Sequence, residues 1–227
     1  MRLKHVKGAE EIIKGGTHYI ESPKQLKGEW AKVFSNNNPI YIEIGMGKGD
    51  FITENALKYP NINFIGIEKF DSVIVRAIQK TNELDINNLK LVRMDALEIN
   101  EVFDKEVDRI YLNFSDPWPK ERHAKRRLTS PVFLEKYDAI FRKNANIIMK
   151  TDNNPLFEYS LETLAQHGYE MISVTRDLYK EDISDNIATE YEKKFVNKGI
   201  KINKFIALKD VNIKKPIQWY ELFFRLK

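Results

Sequence analysis

The chain has 227 residues, 42% hydrophobic and 31% charged, with a formal net charge of +4 at pH 7 and no cysteine. That length fits one domain of ordinary size with enough apolar residues for a core. Disulfides, thiolate metal sites and cysteine nucleophiles are excluded, the four histidines lack the spacing of a zinc site, and no apolar run approaches the ~18 residues of a membrane span.

Residues 1–38 form a basic, partly helical segment. Its start, MRLKHVKGAEE, lacks the apolar stretch of a signal peptide, so a soluble cytoplasmic protein is expected. A helix is predicted near 23–34, and NNNP at 36–39 closes the segment. A strand–helix rhythm then begins. Apolar runs of strand length occupy 40–45, 62–67, 89–94, 107–112 and 145–149, and helix-length segments fall at 50–58, 70–84 and 130–143. Such alternation predicts a parallel sheet covered on both faces. Ser130-Pro131 and Asn154-Pro155 each read as an N-cap followed by proline in the first turn, and Gly168 as a helix stop. A strand at 169–175, an acidic irregular stretch, a helix from about 189 and a strand near 202–208 complete the pattern. The expectation is an α/β fold of Rossmann-like type over 39–208, with a mostly parallel seven-stranded sheet and helices on both faces. Residues 209–227, basic and aromatic, stand outside the rhythm as a tail.

Three glycines, Gly45, Gly47 and Gly49, lie between the first strand of the rhythm and its helix. Glycine there lets the backbone turn sharply and approach a ligand. A dinucleotide fingerprint would place its third glycine at position 50, which is Asp, and no Gly-Lys-Ser/Thr follows to make a phosphate loop. The pattern thus opposes a nicotinamide oxidoreductase and points to a nucleoside without phosphate. S-adenosylmethionine (SAM) fits, carrying a cationic sulfonium. Three acids stand at successive strand ends, where an open α/β sheet binds its ligands. Glu43 can face the methionine ammonium or orient the turn. Glu68 can accept both ribose hydroxyls, and Asp95, with the Ala96 backbone, can take the adenine. Singly, each acid is equally well a helix cap or a solvated loop residue.

After the fourth strand comes NFSDPWP, stiffened by two prolines. Phe114 and Trp118 offer flat faces for a base, and Asp116 can accept from base N–H groups. A basic run follows, able to contact phosphates. By itself the loop is a turn with a buried Trp, and the run a solvated helix face. Two rivals to an RNA methyltransferase remain: a methyltransferase for protein or small molecules leaves the basic run idle, and a non-catalytic RNA-binding module leaves the acids idle.

SDPWPK followed by RHAKRRL, with EIGMGKG before and KTDN (150–153) and TEYEKKF (189–195) after, resembles the bacterial tRNA (guanine-N7-)-methyltransferase family from about residue 1 to 208. The resemblance implies SAM as cofactor and tRNA as substrate, the acceptor being a guanosine of the variable loop. It implies that Glu43, Gly45, Gly47, Glu68, Asp95, Ala96 and Asp116 bind SAM or line the reaction centre, with Asp116 catalytic. It further implies that Lys120, Asp152, Thr189 and Glu192 contact substrate, and that Arg122, His123, Lys125, Arg126 and Arg127 touch RNA. Met46 and Asp50 depart from common family choices. Thr189-x-x-Glu192 also reads as a capping box, and Asp152 as an Asx turn. No metal, membrane or obligatory protein partner is expected, and either a monomer or a homodimer fits.

Overall fold

The computed structural model describes residues 6–211 except residue 182. Its strands are β1 (Tyr19–Ile20), β2 (Ile40–Ile44), β3 (Asn63–Glu68), β4 (Leu89–Arg93), β5 (Val107–Asn113), β6 (Asn144–Thr151), β7 (Glu170–Thr175) and β8 (Asn203–Asp210). They form one sheet in the order β1-β4-β3-β2-β5-β6-β8-β7, with β8 antiparallel to both its neighbours and the other pairs parallel. The described residues therefore hold eight strands rather than the expected seven. The additional one, β1, is a two-residue piece pairing Tyr19 with Leu91 and Ile20 with Val92, too short to show an alternating pattern.

β3, the third strand in from the β1 edge, is buried at every residue, because helices cover both of its faces. On one face α1 (Ala9–Lys14), α3 (Asp50–Lys58) and α4 (Asp71–Thr81) bury Ile13, Phe51, Ile52, Ile74 and Ile78 against Phe64, Leu89 and Leu91. On the other, α2 (Trp30–Phe34), α5 (Ile99–Val102), α6 (Pro131–Ile140) and α7 (Asn154–Gln166) enclose Ile42, Ile110, Leu112, Ile147 and Met149 with Trp30, Tyr137 and Phe157. Each such large side chain contributes about 1.5–3 kcal/mol by leaving water. α8 (Glu190–Val196) lies toward α3, tied by Lys48–Glu190 and Lys193–Glu54 ion pairs. Among the described residues no helix is long and apolar enough to cross a membrane.

Two local expectations change. The helix near 23–34 is split into a 3₁₀ turn, Pro23–Leu26, and α2. Gly28 breaks it at φ 80°, and the Glu106 carboxylate accepts the freed N–H groups of Gly28 and Trp30, both at 2.9 Å. The cap of α7 is Asn153, not Asn154: its Oδ1 accepts from the Leu156 N–H at 2.9 Å, and Pro155 takes the second helical position. Of the tail assigned to 209–227, β8 takes the first two residues, and 212–227 lie outside the described residues.

Candidate active site

The strand order reverses between β2 and β5, and the crevice at the carboxyl ends of such strands is where open α/β sheets hold ligands. The glycine turn stands on the β2 side. Gly45 and Gly47 have φ of 79° and 61°, and a Cβ at either would meet nothing within 4 Å. They give the chain a left-handed conformation and an open face. Met46 between them points inward, filling the space that Gly66 of β3 leaves.

The structure brings the four predicted acids around this turn. Glu68 is 8% exposed. Its Oε2 accepts from the Gly47 N–H (3.1 Å) and its Oε1 from Lys69 N–H (2.8 Å) and Phe70 N–H (3.0 Å). Burial pushes its carboxyl above the ordinary range against these donors, and the charge of Asp116 adds to the rise. Asp95 caps the 3₁₀ turn Ala96–Glu98, accepting from Leu97 N–H at 2.9 Å, and pairs with Lys69 Nζ at 2.6 Å. Burial opposes its ionisation, but these donors outweigh it and hold its pKa below the usual value. Glu43 is 2% exposed; Asn113 Nδ2 donates to its Oε1 at 2.9 Å, while Glu43 Oε2 and Asn113 Oδ1 are buried without a hydrogen-bond partner. Burial pushes the Glu43 carboxyl up to about 7 against the Asn113 hydrogen bond and the Lys150 charge. Asp116 is exposed.

The loop after β5 is strained. Phe114 and Trp118 have φ of 51° and 42°, which costs about 1–3 kcal/mol each and occurs preferentially at functional sites. Arg127 clamps the loop, donating to Pro117 O (3.2 Å) and Trp118 O (3.1 Å) with its guanidinium over Tyr159. Arg126 lies over the Trp118 ring at 4.8 Å and His123 meets that ring edge-on. The basic run is thus a 3₁₀ turn, Glu121–Arg126, not an α-helical face. Lys120, Arg122, Lys125 and Arg126 are exposed, whereas Arg127 is half-buried within the loop.

Thr189 and Glu192 form the capping box of α8: Thr189 Oγ1 accepts from Glu192 N–H at 3.0 Å, and Thr189 N–H donates to Glu192 Oε2 at 3.3 Å. The Glu192 carboxylate faces inward and is fully buried, so this segment presents Tyr191 to the mouth instead. Tyr191 sits between Phe114 (4.8 Å) and Phe195 (4.0 Å), and its hydroxyl donates to Asp152 Oδ2 at 3.2 Å. Sequence reasoning missed Asn113, Lys150, Tyr179, Asn186 and Tyr191. Lys150 closes the apolar run of β6 inside KTDN, and a lysine there was the one available signal.

A donor set of this kind suits SAM. The two buried acceptors without partners match an ammonium, Glu68 and Asp95 lie at the strand ends proper to a nucleoside, and the glycine turn is open. Residues 37–205 match a family described as "Putative methyltransferase". Two similar curated proteins are tRNA (guanine-N(7)-)-methyltransferases. One, from Lachnoclostridium phytofermentans, is 50% identical over 92% of this chain and 99% of its own; the other, from Bacillus licheniformis, is 48% identical over 88% and 94%. Among solved structures, a 16S rRNA (adenine(1408)-N(1))-methyltransferase variant from Catenulisporales acidiphilia with cosubstrate SAM superposes at a TM-score of 0.58, with 17% identity over 83% of this chain and 93% of that one. At that identity the likeness speaks for the fold.

Proposed function

The chain belongs to the tRNA (guanine-N7-)-methyltransferase family, and from that premise we propose how its site transfers a methyl group from SAM to N7 of a guanine in tRNA, the acceptor being a variable-loop guanosine. The observation that carries the reading is the meeting, at one reversal of strand order, of an open glycine turn, acids at successive strand ends and a strained aromatic loop leading into exposed cations.

When bound, SAM supplies an electrophilic sulfonium methyl. Glu68 and Asp95 hold its ribose and adenine, and the Gly45 and Gly47 backbone approaches its methionine end. Guanine N7 bears no proton, so no side chain need act as base toward it. The chain's task is alignment, with the reacting atoms about 3–3.5 Å apart. Asp116 does this by accepting from the base N–H groups, and its charge stabilises the ring as it becomes cationic. Tyr191 and Phe114 supply the adjoining aromatic wall, braced by Asp152. Lys120, Arg122, His123, Lys125 and Arg126 engage the RNA, while Arg127 holds the loop that carries Asp116. Thr189 and Glu192 serve the substrate through the cap that presents Tyr191. A tRNA substrate implies a cytoplasmic setting. The test is transfer of radiolabelled methyl from SAM to unmodified tRNA, followed by chemical cleavage at 7-methylguanosine. Label that enters tRNA without creating such a cleavage site refutes N7 as the acceptor.

A further inference from the structure

Lys150 is a buried cation without a part in the chemistry above. Its side chain is 3% exposed, and its ammonium has three N–H bonds to give. All three go to one segment, reaching Glu192 Oε2 at 2.5 Å, Ile187 O at 2.8 Å and Asn186 Oδ1 at 3.3 Å. Glu192 is saturated in turn: Oε1 accepts from Tyr179 OH (3.0 Å) and Asn186 Nδ2 (2.8 Å), and Oε2 also takes the Thr189 N–H. Lys150 is nevertheless near enough for its charge to act on Glu43. Glu43 stands on β2 and Asn113 on β5, across the reversal of strand order, and each keeps one buried acceptor oxygen without a donor. A buried polar atom left in this condition costs free energy, so such a pair calls for an explanation.

Resting on the SAM reading, we propose that Glu43 and Asn113 form a two-acceptor socket for the ammonium of the cofactor's methionine end, and that Glu192 is a positioning residue holding Lys150 away from that socket. An ammonium entering from the glycine turn donates to Glu43 Oε2 and Asn113 Oδ1. The groups facing Glu43 are Lys150 from β6, Asp50 from α3 and Glu68 from β3, with Asn113 from β5. Lys150 is the only cation among them. Released by Glu192, it becomes an internal competitor for the same carboxylate. Cofactor affinity thereby depends on a residue of α8 through a chain of named contacts.

The test is calorimetry on the full chain with two probes: S-adenosylhomocysteine, and its analogue with the amino group replaced by hydrogen. Wild type is expected to prefer the amine by about tenfold or more, the worth of a charge-assisted hydrogen bond. Asn113→Leu should lose most of that preference while binding the deaminated probe as wild type does; Asn113→Ser serves if the leucine variant does not fold. Glu192→Gln should weaken the amine-bearing probe selectively. The double variant Lys150→Met/Glu192→Gln, which removes both buried charges, should restore the preference. An unchanged preference in folded Asn113 variants overturns the socket. Equal loss of both probes in Glu192→Gln, or no recovery in the double variant, overturns the positioning role, since a merely structural glutamate would act on both ligands alike. A wild type that binds neither probe refutes the SAM reading itself.

Discussion

Glu43 should make the ligand-free protein less stable as pH rises, and replacing it by glutamine should remove that dependence. Its carboxyl is raised from 4.5 to about 7, so the folded state keeps a proton that the unfolded chain has already released. Where the folded state binds more protons, stability falls with pH. The contribution is therefore fully favourable below pH 4.5, declines between 4.5 and 7, and levels off above. At 1.36 kcal/mol per pH unit, the whole decline amounts to about 3 kcal/mol. A glutamine in its place would keep an oxygen for the Asn113 amide and put an N–H where Oε2 now lacks a donor. Urea unfolding of both proteins without cofactor, from pH 4.5 to 8, measures the difference directly. Glu43→Gln should gain about 3 kcal/mol on wild type across that range. An offset that does not vary with pH would refute a buried carboxyl at this position that titrates near neutrality.

Glu68→Ala should weaken SAM binding by calorimetry, each charge-assisted hydrogen bond removed being worth roughly 1.5–3 kcal/mol; unchanged affinity in a folded variant removes Glu68 from the cofactor. Asp116→Asn should slow single-turnover methylation at saturating SAM and tRNA far more than it weakens SAM binding, and near-normal turnover would contradict its role toward the base. Arg122→Gln, Lys125→Gln and Arg126→Gln together should leave the melting temperature unchanged and lower the log–log salt slope of tRNA binding by about 0.7–0.9 for each phosphate no longer neutralised. Arg127→Gln should instead lower the melting temperature, because it frees two loop carbonyls; a stable variant with a reduced salt slope would make Arg127 a phosphate ligand.

The central strands were legible because burial on both faces writes continuous apolar runs, and the expected boundaries lie within a residue or two of β2 to β5. The acids at the strand ends were legible because the glycine turn locates the carboxyl edge of the sheet. What escaped was set by contacts distant in sequence. The break at Gly28 depends on Glu106, and the inward turn of Glu192 depends on Lys150, 42 residues earlier. Thr189-x-x-Glu192 predicts a capping box and one is present, but a local motif says nothing of what lies beneath its second carboxylate oxygen. The basic run likewise gave charge without geometry: only the fold separates Arg127, bound into the loop, from its exposed neighbours.

The two residues of β1 have a consequence for solubility. Without them β4 would end the sheet as a bare row of amide and carbonyl groups, a template for another chain's strand. β1 and the Leu91 N–H to His18 O bond at 2.8 Å occupy that row. The opposite border, β7, is guarded differently: its register shifts between Met171 and Ser173, which interrupts regular pairing although Ile172 and Val174 are exposed. Shortening the N-terminus past Ile20 would therefore spare every residue assigned to the chemistry and yet leave a protein prone to join its copies border to border.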